Sequence, residues 1–351
     1  MAFHNVRFRP YIKSTRVYNG FVIPFCLVVN LLLAHFVSCP VILCFHHVKD
    51  ISEGLADKRI GVINIRKFKN IIFYMRLIGY KFTSLDSLTE SLSQSNLKRQ
   101  AIITFDDGYK NLYTNAYPFL KKMKIPFTLF LITSTVSSQR LLWFHKLYVA
   151  IDKLPIKEQS NVLRKYVNIT ENRNHLNEII DDLIFNNNKL LIESLASNIA
   201  IEANLTEEDE RKIANKYYLS KDELDEMIKF GMNIEPHGHE HLVLNQLSLD
   251  ETKREIKDSI SYIEKEFTRK PSCYCLAYGI SNDFVRDIVD EFGINQITAT
   301  QTRPIENYQD IYSLPRICLT NSSINDFYPR LTICYLKILH QKLRSISLSN
   351  N

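Results

Sequence analysis

Almost uninterrupted apolar runs, rather than alternating ones, mark the strands of this chain. Val41 to Phe45, Ala101 to Phe105 and the stretch IPFTLFLI from Ile125 to Ile132 are hydrophobic nearly throughout. That is the pattern of strands covered on both faces, as in a parallel sheet. Between them the periodicity changes. Residues 66–78 carry Phe68, Ile71, Ile72, Met75 and Ile78 at helical spacing and stop at Gly79, a residue suited to ending a helix. A short strand is predicted over Tyr80 to Leu85 and a helix around 111–122. Further on, Ser220 with Glu223 and Ser248 with Glu251 form capping boxes, which predict helix starts there. The second of these helices presents Ile256, Ile260, Ile263 and Phe267 on one face. Met232–Glu235, Cys273–Ala277, 294–299 and the segment YSLPRICL (312–319) are predicted strands, and 282–292 a helix.

Strands alternating with helices predict an α/β fold built on a parallel sheet. Residues 137–216 break the rhythm. Their apolar periodicity is helical and the stretch is too long for a plain loop, so it is predicted to be a helical insertion. Three units follow: a basic and apolar helical segment over 1–39, the α/β body over 40–322 with its insertion at about 137–216, and a helix and tail over 323–351.

The first segment combines Arg7, Arg9, Lys13 and Arg16 with the apolar run FVIPFCLVVNLLLAHFV at 21–37. The run is short for a membrane span, which takes about 20 residues, and Pro24, Asn30 and His35 interrupt it. Membrane association through 21–37 is expected on equal terms with a helix lying on the body of the protein. The expected location is the cytoplasm or the membrane at the cell envelope, ahead of a secreted form. The formal net charge of +6 is modest, and no dense Lys/Arg block with interleaved aromatics occurs, which argues against nucleic-acid binding. The seven cysteines lie mostly in apolar stretches and are expected to be core residues rather than a disulfide framework.

Two motifs carry chemistry. TFDDGY at 104–109 places two carboxylates side by side where a strand gives way to a loop. Adjacent carboxylates raise each other's pKa unless something positive stands nearby. A metal ion resolves the conflict, with one carboxylate ligating it and the other free to take a proton. EPHGHEH at 235–241 also follows a predicted strand. His237 and His241 are four residues apart, which brings both imidazoles to one side of a turn or short helix. Two histidines and one aspartate are a common three-ligand set for zinc, with a position left open; cobalt or nickel would suit the same donors.

Together with CFHHV (44–48), AYG (277–279) and LPRI (314–317), these motifs resemble the polysaccharide deacetylase family, the NodB-homology carbohydrate esterases. The likeness runs over nearly all of residues 40–320. The insertion beginning LLWFHKL resembles the branch associated with surface polysaccharides. The resemblance implies a distorted (β/α)7 barrel and hydrolysis of an acetyl group, chiefly N-acetyl, on a glycan. It implies Asp106 as the base, with Asp107, His237 and His241 as metal ligands. It also implies the backbone N–H of Tyr109 as an oxyanion donor, and His46, Tyr278 and Gly279 in the substrate pocket. Arg316 is expected to steer Asp106 through a charge-assisted hydrogen bond.

The chain departs from the family pattern in three places. Many members supply a general acid from a late Leu-x-His, which this sequence lacks; either His46, His47 or His239 replaces it, or the base returns its own proton. Ala277 stands where proline is usual, and Glu240 where a small polar residue is common. Two other functions compete with a glycan deacetylase: a catalytically weak glycan-binding protein that keeps a structural metal site, and a hydrolase of small non-sugar amides.

Overall fold

The computed structural model describes residues 18–37, 39–50, 61–94, 98–138, 140–166, 180, 189–279, 283–299, 303–321 and 324–349. The basic residues before position 18 lie outside this set, as does part of the expected insertion. The chain opens with α1 (Ile23–Leu33), β1 (Val41–Phe45), β2 (His47–Val48), β3 (Val62–Ile63), α2 (Ile65–Leu77), β4 (Lys81–Phe82), α3 (Leu85–Ser93) and β5 (Gln100–Asp107). It continues through α4 (Tyr117–Met123) and β6 (Phe127–Leu131) into the insertion helices α5 (Trp143–Lys153), α6 (Ile156–Val162), α7 (Lys189–Glu202) and α8 (Glu207–Tyr217). The α/β rhythm then resumes with α9 (Lys221–Lys229), β7 (Asn233–Pro236), α10 (Leu249–Phe267), β8 (Cys273–Cys275), α11 (Asp283–Glu291), β9 (Gln296–Ala299), β10 (Leu314–Pro315), β11 (Ile317–Cys318) and α12 (Ile324–Ser349).

Every strand pairing among the described residues is parallel. One sheet runs β11-β1-β5-β6-β7, with β4 beside the start of β5, and a second runs β10-β9-β8. The α/β class read from the sequence is what the structure has. The ladders do not close into a barrel. At one seam the chain itself joins the sheets, because β10 belongs to one and β11 to the other. At the opposite seam, between β7 and β8, side chains cross where no ladder does. The Glu235 carboxylate accepts from Ser272 N at 3.0 Å and Cys273 N at 3.1 Å, and His237 Nδ1 lies 2.9 Å from the Cys275 carbonyl.

Alternation within the strands sorts the side chains. In β5, Ala101, Ile103 and Phe105 join the large core under the helices, while Ile102 joins the other side with Ile42, Phe130, Cys273, Cys275 and Leu314. Thr104 and Asp106 share the parity of Ile102, so Asp106 faces this interior. Both expected capping boxes form, at Ser220 and at Ser248, and Thr206 with Asp209 adds a third. The insertion has a core of its own. Trp143, Phe144, Leu147 and Ile151 of α5 pack with Ile192, Ala196 and Ile199 of α7, and this cluster reaches the body at Tyr109 and Ile132.

Helix α1 packs on α12. It is 11 residues long. No helix among the described residues is long and apolar enough to cross a membrane.

The loop after β7 holds His237 and His241 but is not helical, so something outside it must fix its shape. Glu255 of α10 does so. Its Oε1 accepts from Glu240 N at 2.7 Å, and the amides of His239 and Leu242 also point at this carboxylate. Gly238, at φ +83°, lies so close that a Cβ there would stand 2.7 Å from Glu255 Oε1. Burial pushes the Glu255 carboxyl up to about 7, against the pull of those amides. A carboxyl raised on folding retains a proton that the unfolded chain releases, so its contribution to stability declines as pH rises from about 4.5 through about 7. The melting temperature of the wild type should therefore fall relative to that of Glu255→Gln across this window. The same difference in melting temperature between the two proteins at pH 5 and at pH 8 (about two units below and one unit above the shifted value) would rule this out.

Candidate metal centre and active site

The site grows from the end of β5. Consecutive residues of a strand point to opposite faces, so Asp106 and Asp107 would ordinarily diverge. Asp107 has φ +74°, a left-handed conformation that few non-glycine residues adopt and that Asp tolerates better than most. This twist and the following Gly108, at φ +93°, end the strand and bring the second carboxylate round beside the first. A Cβ at Gly108 would lie 2.6 Å from Leu131 Cδ1, so the turn sits tight against β6.

Asp106 is 3% exposed and Arg316 2%. The guanidinium grips the carboxylate as a fork, Nη1 to Oδ1 at 2.7 Å and Nη2 to Oδ2 at 2.8 Å, a geometry that combines strength with fixed orientation. Nη2 also reaches Cys275 Sγ at 3.0 Å, and Nη1 reaches Thr104 Oγ1 at 3.3 Å. The Arg316 side chain lies over the Phe130 ring. Burial alone would raise the Asp106 carboxyl; Arg316 and the nearby histidines outweigh it and hold the group below its ordinary value.

Asp107 has no arginine. Its Oδ1 is buried and has no hydrogen-bond partner, with His237 Nε2 at 3.4 Å and His241 Nε2 at 3.7 Å. Zinc ligands at 2.0–2.2 Å and tetrahedral angles stand roughly 3.3–3.6 Å apart, so the three atoms match the spacing of a shared cation. The two imidazole centroids are 4.8 Å apart. A bend, with Gly238 at φ +83° and His241 at φ +61°, brings them together: a turn, of the two possibilities read from the spacing. The Nδ1 of His237 is satisfied at the Cys275 carbonyl, which directs its Nε2 towards Asp107, as is usual for a histidine that holds a metal. Burial would raise the Asp107 carboxyl, but His237, His46 and His241 outweigh it and hold it far below its ordinary range. Burial and the neighbouring His237 push His241 down to about 3. Burial would lower His237 as well; the adjacent Cys275 and Asp107 instead raise it. Asp107, His237 and His241 thus fit a divalent cation by donor type, spacing and an unsatisfied buried oxygen. Asp106 lies in two further candidate groupings, with Cys44 and His46 and with His237 and Cys275, but both its oxygens are taken by Arg316.

The remaining expected residues fall around this centre. Phe45 pairs with Phe105 in the β1–β5 register, so His46 follows opposite Asp106, and its Nε2 is 3.8 Å from Asp106 Oδ2. His46 is half-buried. Tyr278, at φ +57°, sets its ring 4.7 Å from that of His241, with Gly279 next to it in the same short turn. His239 turns away from the centre, to Thr133 Oγ1 at 2.8 Å. Tyr109 is 1% exposed, and its ring packs against that of His47 at a tilt, 3.7 Å between centroids.

One residue of this neighbourhood was not read from the sequence. His145 of α5 is fully buried, its Nε2 2.9 Å from the Tyr109 hydroxyl and its Nδ1 against the Tyr218 hydroxyl. Burial pushes it down to about 3, so it stays neutral and bridges the two phenols. Phe144 beside it packs on His241, with centroids 5.6 Å apart, and Trp143 Nε1 donates to the Glu240 carbonyl at 3.2 Å. The motif LLWFHKL is therefore a wall of the site. Its aromatic run beside a histidine was the available signal.

The chain is similar to known proteins. Residues 93–297, more than half of the chain, match the family model described as polysaccharide deacetylase. The poly-beta-1,6-N-acetyl-D-glucosamine N-deacetylase of Staphylococcus epidermidis is 24% identical over 268 residues, 74% of this chain and 68% of that protein. The Staphylococcus aureus protein of the same name is 29% identical over 172 residues, 46% of this chain and 56% of its own length. Among solved structures, the Streptococcus pyogenes deacetylase PplD in complex with acetate aligns with a TM-score of 0.56 at 19% identity, covering 84% of this chain and 98% of that one. IcaB from Ammonifex degensii aligns with a TM-score of 0.54 at 16% identity, covering 85% and 97%. These two share the fold. With the family model spanning β5 to β9 and the paired carboxylates and histidines inside it, the chain belongs to the polysaccharide deacetylase family of hydrolases.

Proposed function

We propose that this protein removes N-acetyl groups from a cell-surface polysaccharide or its precursor, with a β-1,6-linked N-acetylglucosamine polymer as the first substrate to test. The observation that carries the reading is the division of labour between two adjacent carboxylates. One is gripped by Arg316, and the other is left with an unsatisfied oxygen facing two imidazoles. A structural metal site would need only the second arrangement. The staphylococcal relatives bear the name of an enzyme acting on that polymer. We also read the two sheets as one distorted (β/α)7 barrel, parted at the β7–β8 seam.

Asp107, His237 and His241 would hold the divalent metal, zinc by default and cobalt or nickel as alternatives. When bound, it would polarise the acetyl carbonyl and acidify water. Asp106 accepts a proton from the attacking water. Arg316 keeps this carboxylate ionised and aimed, so that the base neither rotates nor wanders to a ligand position. The backbone N–H of Tyr109 donates to the developing oxyanion. Tyr278 and Gly279 line the sugar-binding side. His46 donates the proton that the departing amine needs: of the three histidines open to this role, His47 is packed on Tyr109 and His239 points to Thr133, while His46 is half-buried beside Asp106. Water and an amide give acetate and a free amine, and the proton taken by Asp106 is balanced by the one His46 gives up.

Acetate release from the β-1,6-linked N-acetylglucosamine oligomer should stop on chelation and return with added zinc or cobalt. Asp106→Asn should keep bound metal, measured by elemental analysis, and lose about a hundredfold or more in kcat. Near-normal turnover in that variant would remove Asp106 as the base.

Arg316→Lys should fold, since a cation remains, yet lose the fork and about tenfold or more in kcat with little change in KM. A change confined to KM would argue against a role in aiming Asp106.

His46→Ala should lower amide hydrolysis about a hundredfold while sparing 4-nitrophenyl acetate, whose leaving group needs no proton. Equal losses on both substrates would exclude His46 as the acid.

A further inference from the structure

Helix α1 is built inside out. Its one polar side chain, Asn30, is fully buried, donating from Nδ2 to the Tyr328 carbonyl at 3.1 Å and accepting at Oδ1 from Thr332 Oγ1 at 2.7 Å. Cys26 and Ala34 share that inward side and are buried too. Phe21, Phe25, Val28 and Leu32 recur at helical spacing on the opposite side, and Phe36 follows them; every one is more than half exposed. The Phe21 and Phe25 rings are stacked along this face. In water an amphipathic helix does the reverse, with its polar residues out and its apolar stripe in. Asn30 locks the orientation, because rolling the helix to hide the phenylalanines would strip a buried amide of its partners.

The neighbouring helix extends the same character. Leu336 and Leu343 lie on the side of α12 that carries Thr332, at four- and eleven-residue steps from it, and both are exposed. Positive charge gathers on α12. Among the described residues, 324–349 hold Arg330, Lys337, Lys342 and Arg344 against Asp326, a net +3 on this one helix. An apolar face with the exposed Lys337 and Arg344 of α12 beside Leu336 and Leu343 matches the two attractions of an anionic bilayer surface, apolar insertion and headgroup electrostatics. A second copy of the chain would bring the same positive charge to meet it.

We infer that the outward faces of α1 and α12 form a monotopic docking surface for an anionic lipid bilayer, lying in the interface rather than spanning it. The inference does not depend on the reading of the active site.

The test is co-sedimentation of the full chain with vesicles of phosphatidylcholine alone and of phosphatidylcholine mixed with phosphatidylglycerol. Binding should favour the anionic vesicles by about tenfold or more at low salt and weaken as salt rises. Phe25→Glu with Leu32→Glu, both exposed positions, should lower binding about tenfold or more while circular dichroism and melting stay unchanged. Lys337→Glu with Arg344→Glu should abolish the preference for anionic vesicles. Absence of wild-type binding to either vesicle would overturn the inference, and so would undiminished binding by the Phe25/Leu32 variant. A dimer in sedimentation equilibrium that dissociates in this variant, without vesicle binding, would assign the face to a second copy and overturn it equally.

Discussion

Two carboxylates, adjacent in sequence and both out of water, are the constraint around which this structure is arranged. At close range in a medium of low polarity, their repulsion would force one to take up a proton. The fold answers on two sides. Asp106 keeps the inward direction that strand alternation gives it and meets Arg316, which arrives on the one segment that passes from the second sheet to the first. Asp107 is swung out of the alternation by its positive φ and meets the loop after β7. Remove either answer and the other carboxylate changes its chemistry as well. The guanidinium and the histidine pair are therefore parts of one electrostatic solution rather than separate devices.

That solution needs the ligand loop to be rigid without being helical. A loop with a left-handed His241 and a glycine in van der Waals contact with Glu255 does not hold its shape by local propensity. It is held from three directions: the Glu255 carboxylate under its amides, the Trp143 indole on the Glu240 carbonyl, and the β6 end, where Thr133 N and Ser134 N donate to the carbonyls of Gly238 and His239. One of those supports belongs to the insertion. The helices between β6 and β7 thus brace the site as well as flank it, and the buried His145 ties them to Tyr109. Pre-organisation of this kind is what allows groups to act without reorganising during a reaction.

Much of this was legible in the chain because the signals are local. Continuous apolar runs gave β1, β5 and β6; the Ser–Glu boxes gave the starts of α9 and α10; carboxylates and histidines at strand ends gave the centre. What was not legible depends on contacts between distant elements. The side-chain seam at Glu235 cannot be read from Glu235, which looks like any acidic residue ahead of a histidine motif. Glu255 reads as one more charge on an amphipathic helix, and only the tertiary position shows that its carboxylate faces inward under a loop. The predicted strand over YSLPRICL proved to be a 3-10 turn and two two-residue strands split between sheets, since Arg316 has to leave the ladder to reach Asp106. The inversion of α1 is invisible to a hydropathy profile, which registers that Asn30 interrupts an apolar run but not which way it faces.

The absence of a late Leu-x-His takes on a different meaning once register is considered. In a parallel sheet, the rim at the strand ends is shared, and a residue is placed there by which strand it follows rather than by where it stands in the sequence. β1 is the hydrogen-bonded neighbour of β5, with Phe45 beside Phe105. The residue after Phe45 must therefore fall next to Asp106, whatever distance separates the two motifs along the chain. A histidine delivered from β1 thus stands 3.8 Å from the proposed base, at His46 Nε2 and Asp106 Oδ2. On the mechanism proposed above, a chain without that motif can still present a proton donor beside the base, because the strand next to β5 ends on the same rim.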